Sequence, residues 1–388
     1  MPAIYGQAPA AAHDLLCQAL LRGERQSWPF ADCVADVERF LERVTFHGIE
    51  CLLVERLACL DACPESVRLA LKQLATERAL WELRNRRLMQ LALEALATAG
   101  INTLVYKGTA LAYSLYPNPV WRTRSDTDLL VAPDQLQASI TVLESLGYRQ
   151  YSDAEEAIFY KLYFSQIAPE GGEHNIDLHW KLNNSELLSG LFSFTELYSR
   201  SVPLPALSGQ ARTVSHADAL LIACLHRGVH KLSAYTVNHK TYYSGDRLIW
   251  LQDIDLLARQ LQPAEWVQFF ECSKAKGLTR ICRESLALAG AWFMTSLPKH
   301  WEISLAQAEQ GLPDRYLAAG PFPRAWLDLQ ACRNLSAKLG YCRHILCPPA
   351  TYMHNKFADA RWQWLPWLYL RRIVTGLLHR FRLGWQRT

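Results

Sequence analysis

Two aspartates one residue apart are the strongest chemical signal in this sequence. Asp126 and Asp128 open the apolar run 126–131. Alternate residues of an extended strand point to the same face, so we expect these two carboxylates to lie side by side. Their repulsion is relieved by a proton or a cation, and a hard, oxygen-seeking ion such as Mg²⁺ suits them best. The alternative for the pair taken alone is a solvated end of a strand.

A later strand-like segment supplies a third carboxylate. In residues 174–180 apolar and polar side chains alternate, which places Asp177 and His179 on one face and the apolar residues on the other. Asp177 is therefore the best candidate to join Asp126 and Asp128. The exposed face of an edge strand would show the same alternation.

A lysine-glycine-threonine segment precedes all three aspartates. Lys107, Gly108 and Thr109 follow the buried-strand pattern of residues 101–106 and lead into a helix-like segment. Glycine lets backbone N–H groups approach a phosphate closely, and the N-terminus of a helix favours anions. A turn glycine beside a solvated lysine is the plainer explanation of the same residues.

The elements that must position these residues indicate an α+β fold, with a small mixed sheet and helices flanked by N- and C-terminal helical regions. We expect an N-terminal helical region at 1–97, a sheet-containing domain at 98–205, and a C-terminal helical domain with a basic, Trp-rich tail at 206–388. In the middle domain the patterns predict strands at 101–106, 126–131, 148–151, 159–166 and 174–180, and helices at 110–116 and 133–146. In the C-terminal domain they predict helices at 215–232, 245–261, 263–276, 279–295 and 324–340, with a Pro/Gly-rich break at 311–323.

Composition excludes several classes of protein. The 388 residues are 50% hydrophobic and 20% charged, as in ordinary globular proteins, and the net charge of +4 is too small to indicate a nucleic-acid binder. The 11 cysteines are scattered without the paired spacing of a zinc site, which is typical of reduced thiols in a cytosolic protein. The N-terminus lacks the features of a signal peptide, and no uncharged stretch reaches about 18 apolar residues. We therefore expect a cytoplasmic protein.

The order of motifs resembles the DNA polymerase β-type nucleotidyltransferase superfamily, which carries a glycine motif after its first strand and Asp-x-Asp on the next. Thr109 stands where Gly or Ser is usual. The chain is more closely similar to the bacterial uncharacterised nucleotidyltransferase family, best over residues 95–260. The motifs that carry this similarity are Leu-Tyr-Pro-x-Pro, Arg-x-x-x-Asp-x-Asp-Leu-Leu-Val, Ile-Asp-Leu-His-Trp, Leu-His-Arg-Gly-Val-His-Lys and Arg-Leu-Ile-Trp-Leu-x-Asp.

The resemblance implies an enzyme that moves NMP from an NTP, such as ATP, to an acceptor and releases pyrophosphate. Such catalysis consists mostly of positioning and electrostatic stabilisation, and two divalent cations can clamp the attacking and leaving oxygens. Mg²⁺ or Mn²⁺ would be held by the catalytic residues Asp126, Asp128 and Asp177. The residues expected to bind nucleotide or phosphate are Lys107, Gly108, Thr109, Arg122, Arg124, His179, His226, His230 and Arg247.

Several of these residues also have a structural explanation. Arg122 and Arg124 are expected either to bind phosphate or to lie on the surface. His226 and His230 share a helix face at zinc-ligand spacing, but Arg227 stands where a zinc protease has Glu, so a structural or phosphate-facing pair is favoured.

The acceptor is not encoded in these motifs. A small molecule or a peptide or protein is favoured over RNA, because no strongly basic patch lies near the motifs. One rival hypothesis is a non-catalytic nucleotide-binding or partner-binding module on the same fold.

The C-terminal tail supports a second rival hypothesis, a peripheral membrane or scaffold protein acting through residues 361–388. This tail contains six arginines, four tryptophans and no acidic residue. A basic, aromatic helix can bind an anionic membrane surface or a protein groove. Alternatively its Trp face packs on the rest of the chain, with Pro366 dividing it into two short helices.

Overall fold

The computed structural model of the protein describes most of the chain. The residues described are 8–151, 160–168, 171–231, 235–237, 240–242, 245–295, 297–298, 301, 309–348, 350, 353–354, 357, 364–372 and 374–375.

A seven-stranded mixed sheet forms the centre of the protein, with the strand order β5-β6-β7-β4-β3-β9-β8. Two small two-stranded sheets, β1-β2 and β10-β11, lie apart from it. The strands are β1 (Gln26–Ser27), β2 (Leu60–Asp61), β3 (Thr103–Tyr106), β4 (Asp126–Val131), β5 (Arg149–Tyr151), β6 (Lys161–Ile167), β7 (Glu173–His179), β8 (Val202–Pro203), β9 (Arg212–Thr213), β10 (Tyr235–Val237) and β11 (Lys240–Tyr242).

Helices flank this sheet along the chain on both sides. They are α1 (Ala8–Leu21), α2 (Val34–His47), α3 (Glu50–Val54), α4 (Glu65–Thr98), α5 (Lys107–Ser114), α6 (Leu136–Ser145), α7 (Glu186–Ser189), α8 (Phe194–Ser199), α9 (His216–His230), α10 (Leu248–Gln260), α11 (Pro263–Ala275), α12 (Thr279–Phe293), α13 (Leu312–Ala318), α14 (Pro321–Ala331) and α15 (Leu335–Leu346). The α+β fold with a mixed sheet, predicted from the sequence, is confirmed.

The pleat of the central strands separates a buried apolar face from a polar one. Leu129 and Val131 of β4 and Ile176 and Leu178 of β7 are buried together with the end of α4. Residues between them point the opposite way, because side chains alternate along a strand. The same alternation that builds this core therefore places the aspartates of both strands on the other face.

A larger apolar cluster joins elements between residues 16 and 317. It contains Phe40 of α2, Leu104 of β3, Leu221 of α9 and Ile254 of α10. The helical regions thus pack against the polar side of the sheet and form the walls around it. The boundaries at residues 97 and 205 stay predictions.

Some sequence-based predictions of secondary structure are wrong in detail. The single helix expected at 324–340 is two helices, because Asn334 accepts a hydrogen bond from Ala337 N–H and starts a new helix at Leu335. The expected break at 311–323 contains α13, whose first turn is capped by the Asp314 carboxylate accepting from Gly311 N–H at 2.8 Å. Helix α5 starts at Lys107 rather than at residue 110.

Two absences follow from the described residues. All eleven cysteines are free thiols, as expected. Within the described ranges no helix is both long and apolar enough to span a membrane.

Candidate active site

Strand register brings the predicted carboxylates together. Strands β4 and β7 run parallel, with Asp128 directly beside Asp177 and Asp126 beside Asn175. Directly paired residues of neighbouring strands share a face, so all three aspartates project from the same side of the sheet. Asp128 and Asp177 are buried, while Asp126 is partly exposed.

His179 completes a compact group of possible cation ligands. One ligand atom each from Asp128, Asp177 and His179 lies within 4.8 Å of the others. Asp126 was expected in this group, and it lies next to it, two residues before Asp128 on β4. His179 Nε2 lies 2.9 Å from Asp128 Oδ1.

Two lysines are the counterions of the buried carboxylates. Lys107 Nζ donates to Asp128 Oδ1 at 2.6 Å, and Lys161 Nζ donates to Asp177 Oδ2 at 2.7 Å. Burial opposes the charge of Lys107, but attraction and hydrogen bonding by Asp128 outweigh it and raise the Lys107 pKa. The ammonium group of each lysine thus lies beside a carboxylate that could also bind a divalent cation.

The unsatisfied atoms of the group fit a cation. Asp177 Oδ1 is buried without a hydrogen-bond partner among the described residues. Burial and repulsion by Asp128 and Asp177 raise the pKa of Asp126 to about 7. Burial also works against the charge of Asp128, yet Lys107 and His179 hold its pKa well below the usual range. Three carboxylates with spare oxygen atoms are a donor set that Mg²⁺ or Mn²⁺ accepts.

Lys107 has a backbone conformation that non-glycine residues rarely adopt. Its φ is +54°, in the left-handed region, at the junction between β3 and α5. Such strain costs of the order of 1 kcal/mol or more and is concentrated at functional sites. The kink allows the lysine to leave the strand while its Nζ reaches Asp128.

Gly108 and Thr109 have different surroundings. Gly108 lines the cavity above the carboxylates, and a Cβ built on it would lie 3.6 Å from the Arg124 side chain, an ordinary contact. Thr109 is buried, and its Oγ1 accepts from Arg124 Nε at 2.9 Å and lies 3.0 Å from Thr127 Oγ1. Its hydroxyl therefore connects α5 to β4 through hydrogen bonds.

Both predicted phosphate-binding arginines are engaged within the protein. Arg124 donates to Glu82, Thr109 Oγ1 and the carbonyls of Pro119 and Arg122. These bonds engage each of its three nitrogens. Arg122 forms a bidentate pair with Asp253 at 2.8–2.9 Å. Both arginines line the cavity, but their charge is already paired with buried carboxylates.

The cavity above the aspartates, here called the carboxylate cavity, has a volume of about 350 Å³. Helices α5, α9 and α10 wall it, and His226, His230 and Arg247 contribute to the lining. Burial, followed by the nearby charges of Lys107 and Lys161, lowers the pKa of His230 to about 4, and burial also lowers that of His226. Both imidazoles are therefore neutral at pH 7, with ring centroids 4.3 Å apart.

Lys161 is the functional candidate that the sequence analysis missed. A register counted back from the Gly171-Gly172 turn would have found it, because Ile167 pairs with Glu173 and Lys161 pairs with His179. Glu82, the partner of Arg124, carries no comparable signal, since it lies 42 residues away on α4.

Comparisons with known proteins place these features in context. The sequence model of a family described as uncharacterised nucleotidyltransferase matches residues 34–294. Among solved structures, an antigenic nucleotidyltransferase-like protein from Paracoccidioides brasiliensis is similar over 55% of this chain and 93% of its own, with 13% identity and a TM-score of 0.34. No curated protein matches the sequence significantly. The family match spans every residue that lines the carboxylate cavity.

Proposed function

This chain belongs to the uncharacterised nucleotidyltransferase family, and we propose that it transfers NMP from an NTP to a hydroxyl-bearing acceptor, releasing pyrophosphate. The observation that carries the proposal is the placement of Asp126, Asp128 and Asp177 on one face beside the start of α5. Carboxylates and a helix N-terminus are the parts that phosphoryl transfer needs.

Asp128, Asp177 and the adjacent Asp126 would hold Mg²⁺ or Mn²⁺. Divalent cations at such a site neutralise phosphate charge and polarise the α-phosphoryl group. The acceptor oxygen forms the new bond to the α-phosphorus, the bond to the β-phosphate oxygen breaks, and the acceptor proton passes to a carboxylate or water. Asp177, whose Oδ1 is unpartnered among the described residues, would either complete the cation site or receive this proton.

Lys107 and Lys161 would change partners during binding. In the structure their ammonium groups neutralise Asp128 and Asp177. Both lysines line the carboxylate cavity together with Gly108. Ammonium groups released from the carboxylates are suited to the triphosphate, since a lysine is a compact point charge. Arg122, Arg124 and Thr109 would not contact the nucleotide directly. They would affect its binding only by stabilising the walls of the carboxylate cavity.

The decisive experiment measures transfer of label from [α-³²P]NTPs. Each of the four NTPs is incubated with the protein, Mg²⁺ or Mn²⁺ and cell extract, and labelled products are separated. Asp126→Asn is expected to abolish product while keeping the melting temperature within a few degrees. Asp134→Asn, at an exposed aspartate that begins the turn before α6, is the matched control and should label like wild type.

Two outcomes would contradict the proposal. Equal labelling by Asp126→Asn and wild type would show that the carboxylates do not take part in the reaction. NTP binding by the wild type without any labelled product would favour the rival hypothesis, a non-catalytic nucleotide-binding module.

Peripheral association with a membrane is a second candidate, supported by the C-terminal segment 364–372, which is helical from residue 365. Trp364 and Trp367 are 68% and 45% exposed, so the tryptophans described here do not form the packed face. Leu368 is the buried residue, against Met353 and Phe357. Pro366 lies in the first turn of this helix, where proline is tolerated, and so does not divide it as predicted. The rest of the tail, at 361–363, 373 and 376–388, lies outside the described residues.

A further inference from the structure

A second cavity of about 360 Å³ adjoins the carboxylate cavity. We propose that it is the acceptor site, and that it takes an uncharged or anionic group that carries the reacting hydroxyl. The inference rests on the proposed function and names the class of acceptor.

The position of this acceptor cavity suits a second substrate. It shares Lys107, Tyr160, His226 and His230 with the carboxylate cavity. An NTP bound over the aspartates would thus lie against whatever occupies the neighbouring space. Transfer requires the acceptor oxygen and the α-phosphorus to come within about 3–3.5 Å of each other, which two adjoining cavities permit.

The walls of the acceptor cavity select against positive charge. Among the described residues that line it, none is Asp or Glu, and two, Lys107 and Arg324, are cationic. The two histidines at the junction are neutral, because burial lowers the pKa of both. A cationic acceptor would meet the two like charges of Lys107 and Arg324, which repel it. Polyamines and aminoglycosides are therefore disfavoured as acceptors.

The lining of the acceptor cavity combines apolar side chains with polar ones. Seven aliphatic or phenyl side chains line it: Leu182, Leu188, Phe192, Ile222, Leu225, Val229 and Leu317. Asn184 makes no side-chain hydrogen bond with the described residues, so its amide is available to a ligand. Arg324 donates hydrogen bonds from Nε and one terminal nitrogen to the carbonyls of Tyr316 and Leu317. A cavity of this volume, with apolar side chains and convergent polar groups, has the size of a small-ligand site.

Asp328 of α14 holds the two halves of this cavity together. Its Oδ1 accepts from Ser185 Oγ at 2.7 Å and from Leu187 N–H at 3.0 Å, and its Oδ2 accepts from Tyr316 hydroxyl at 2.8 Å. The carboxylate is buried and fully used by these bonds. The cavity is thus a built feature, closed by tying the segment after β7 to helix α13.

One wall comes from outside the part of the chain that the family shares. The match to the family ends at residue 294, whereas Tyr316, Leu317 and Arg324 follow it. The carboxylate cavity lies wholly within the matched segment.

The test fills the acceptor cavity and leaves the carboxylates intact. Asn184→Trp adds bulk from an exposed lining position, and Gln137→Trp on α6, outside both cavities, is the matched control. Label from [α-³²P]NTP is measured with cell extract divided into molecules below about 1 kDa, peptides and proteins, and RNA. Binding of NTP with Mg²⁺ is measured separately by calorimetry.

We expect wild type and Gln137→Trp to label the small-molecule or the peptide fraction, which tells a free acceptor from a peptide-borne one. Asn184→Trp should lose about tenfold or more of this labelling while its affinity for NTP changes by less than about twofold. An aminoglycoside and spermine derivatives with hydroxyl groups should remain unlabelled.

Three results would overturn the inference. The first is equal labelling by Asn184→Trp and wild type, and the second is labelling of RNA ends by wild type. The third is a loss of NTP binding in Asn184→Trp in parallel with the loss of labelling. Each would show that this cavity is not the proposed acceptor site. Absence of product with wild type in every fraction would instead overturn the proposed function, and with it this inference, so the two failures are distinguishable.

Discussion

At the residue scale, the balance of charge around Asp177 explains how three carboxylates persist in a folded core. Lys161 is largely buried against Asp177, with 16% of its side chain exposed. Removing one partner of a buried pair leaves an uncompensated charge and costs about 3–5 kcal/mol. A divalent cation could supply the missing positive charge, because it would bind the same oxygens.

We therefore predict that Lys161→Met is destabilised without divalent cations and recovers with them. Thermal denaturation with and without Mn²⁺ should give a larger upward shift in melting temperature for this variant than for wild type. Lys181→Met is the matched control, since Lys181 pairs with Glu186 at 2.6 Å but is 33% exposed. That pair is worth less than about 1 kcal/mol. Equal Mn²⁺ shifts in wild type and Lys161→Met would contradict the role of Lys161 as a resident counterion.

Arg124 illustrates what sequence alone could not supply. Its place two residues before Asp126 suggested a phosphate contact, but its guanidinium is satisfied by Glu82, 42 residues away. Asp253, the partner of Arg122, lies 131 residues away. Local spacing predicted the three aspartates because they depend on strand periodicity. It could not predict ion pairs that form only when helices pack.

Arg124→Lys is accordingly expected to act mainly on stability. A lysine cannot reproduce the five-donor fork that contacts Glu82, Thr109 and two carbonyls. Urea unfolding should show a loss of about 2–4 kcal/mol, since buried hydrogen-bonded groups lose their partners. NTP affinity measured on the folded fraction should change by less than about threefold. A large loss of NTP affinity with unchanged stability would indicate instead that Arg124 contacts the phosphate of the nucleotide.

At the element scale, His47 fastens the N-terminal helices to the wall of the site. Its Nδ1 accepts from Leu248 N–H at 3.1 Å, at the start of α10, and its Nε2 lies 2.8 Å from Asp14 Oδ1. The next residues of α10 carry Trp250 and Asp253 into the carboxylate cavity. The contact therefore links helices α1, α2 and α10, which no local pattern of the sequence indicated.

This contact predicts a pH dependence of stability. Burial lowers the pKa of His47 from 6.5 to about 4, although Asp14 works in the opposite direction. Between these values the unfolded chain binds a proton that the folded protein does not, so the free energy of unfolding decreases as pH falls from 6.5 to about 4. The decrease from this residue is at most about 3 kcal/mol.

His47→Gln separates this contribution from those of the other buried histidines. An amide can still accept from Leu248 and donate to Asp14, but it does not titrate. Urea unfolding at a series of pH values should show a shallower decline for the variant below pH 6.5. Parallel curves for variant and wild type would show that His47 is not a source of the dependence.

Element boundaries were predictable where a cap residue was visible and not where packing decided. Gly147 and Ser215 lie next to helix ends near the predicted positions. The break between α14 and α15 was missed because a helical pattern of apolar residues continues through it. Asn334 caps the N-terminus of a new helix there. The strands of the site were found because their apolar alternation is local, whereas their order in the sheet arises from long-range pairing.

At the scale of the whole molecule, the described part of the C-terminal helix leaves an apolar stripe uncovered. Leu370 and Val374 are 52% and 46% exposed and follow Trp364 and Trp367 at helical spacing. The surrounding tail, residues 361–388, has six arginines and no acidic side chain. Tryptophans beside arginines suit the interface of an anionic bilayer, where each basic residue contributes about 1 kcal/mol.

We predict that the full-length protein sediments with vesicles that contain phosphatidylserine and much less with pure phosphatidylcholine vesicles. Raising the salt concentration should weaken the binding, because it screens the arginine charges. Trp364→Ser combined with Trp367→Ser should reduce sedimentation severalfold, since two interfacial anchors are lost. The control replaces the exposed aromatics Phe322 and Trp326 of α14 by Ser, which removes a similar exposed area elsewhere. If both double variants sediment like wild type, or if wild type binds neither kind of vesicle, the stripe is not a membrane anchor, and nucleotidyl transfer would take place away from lipid.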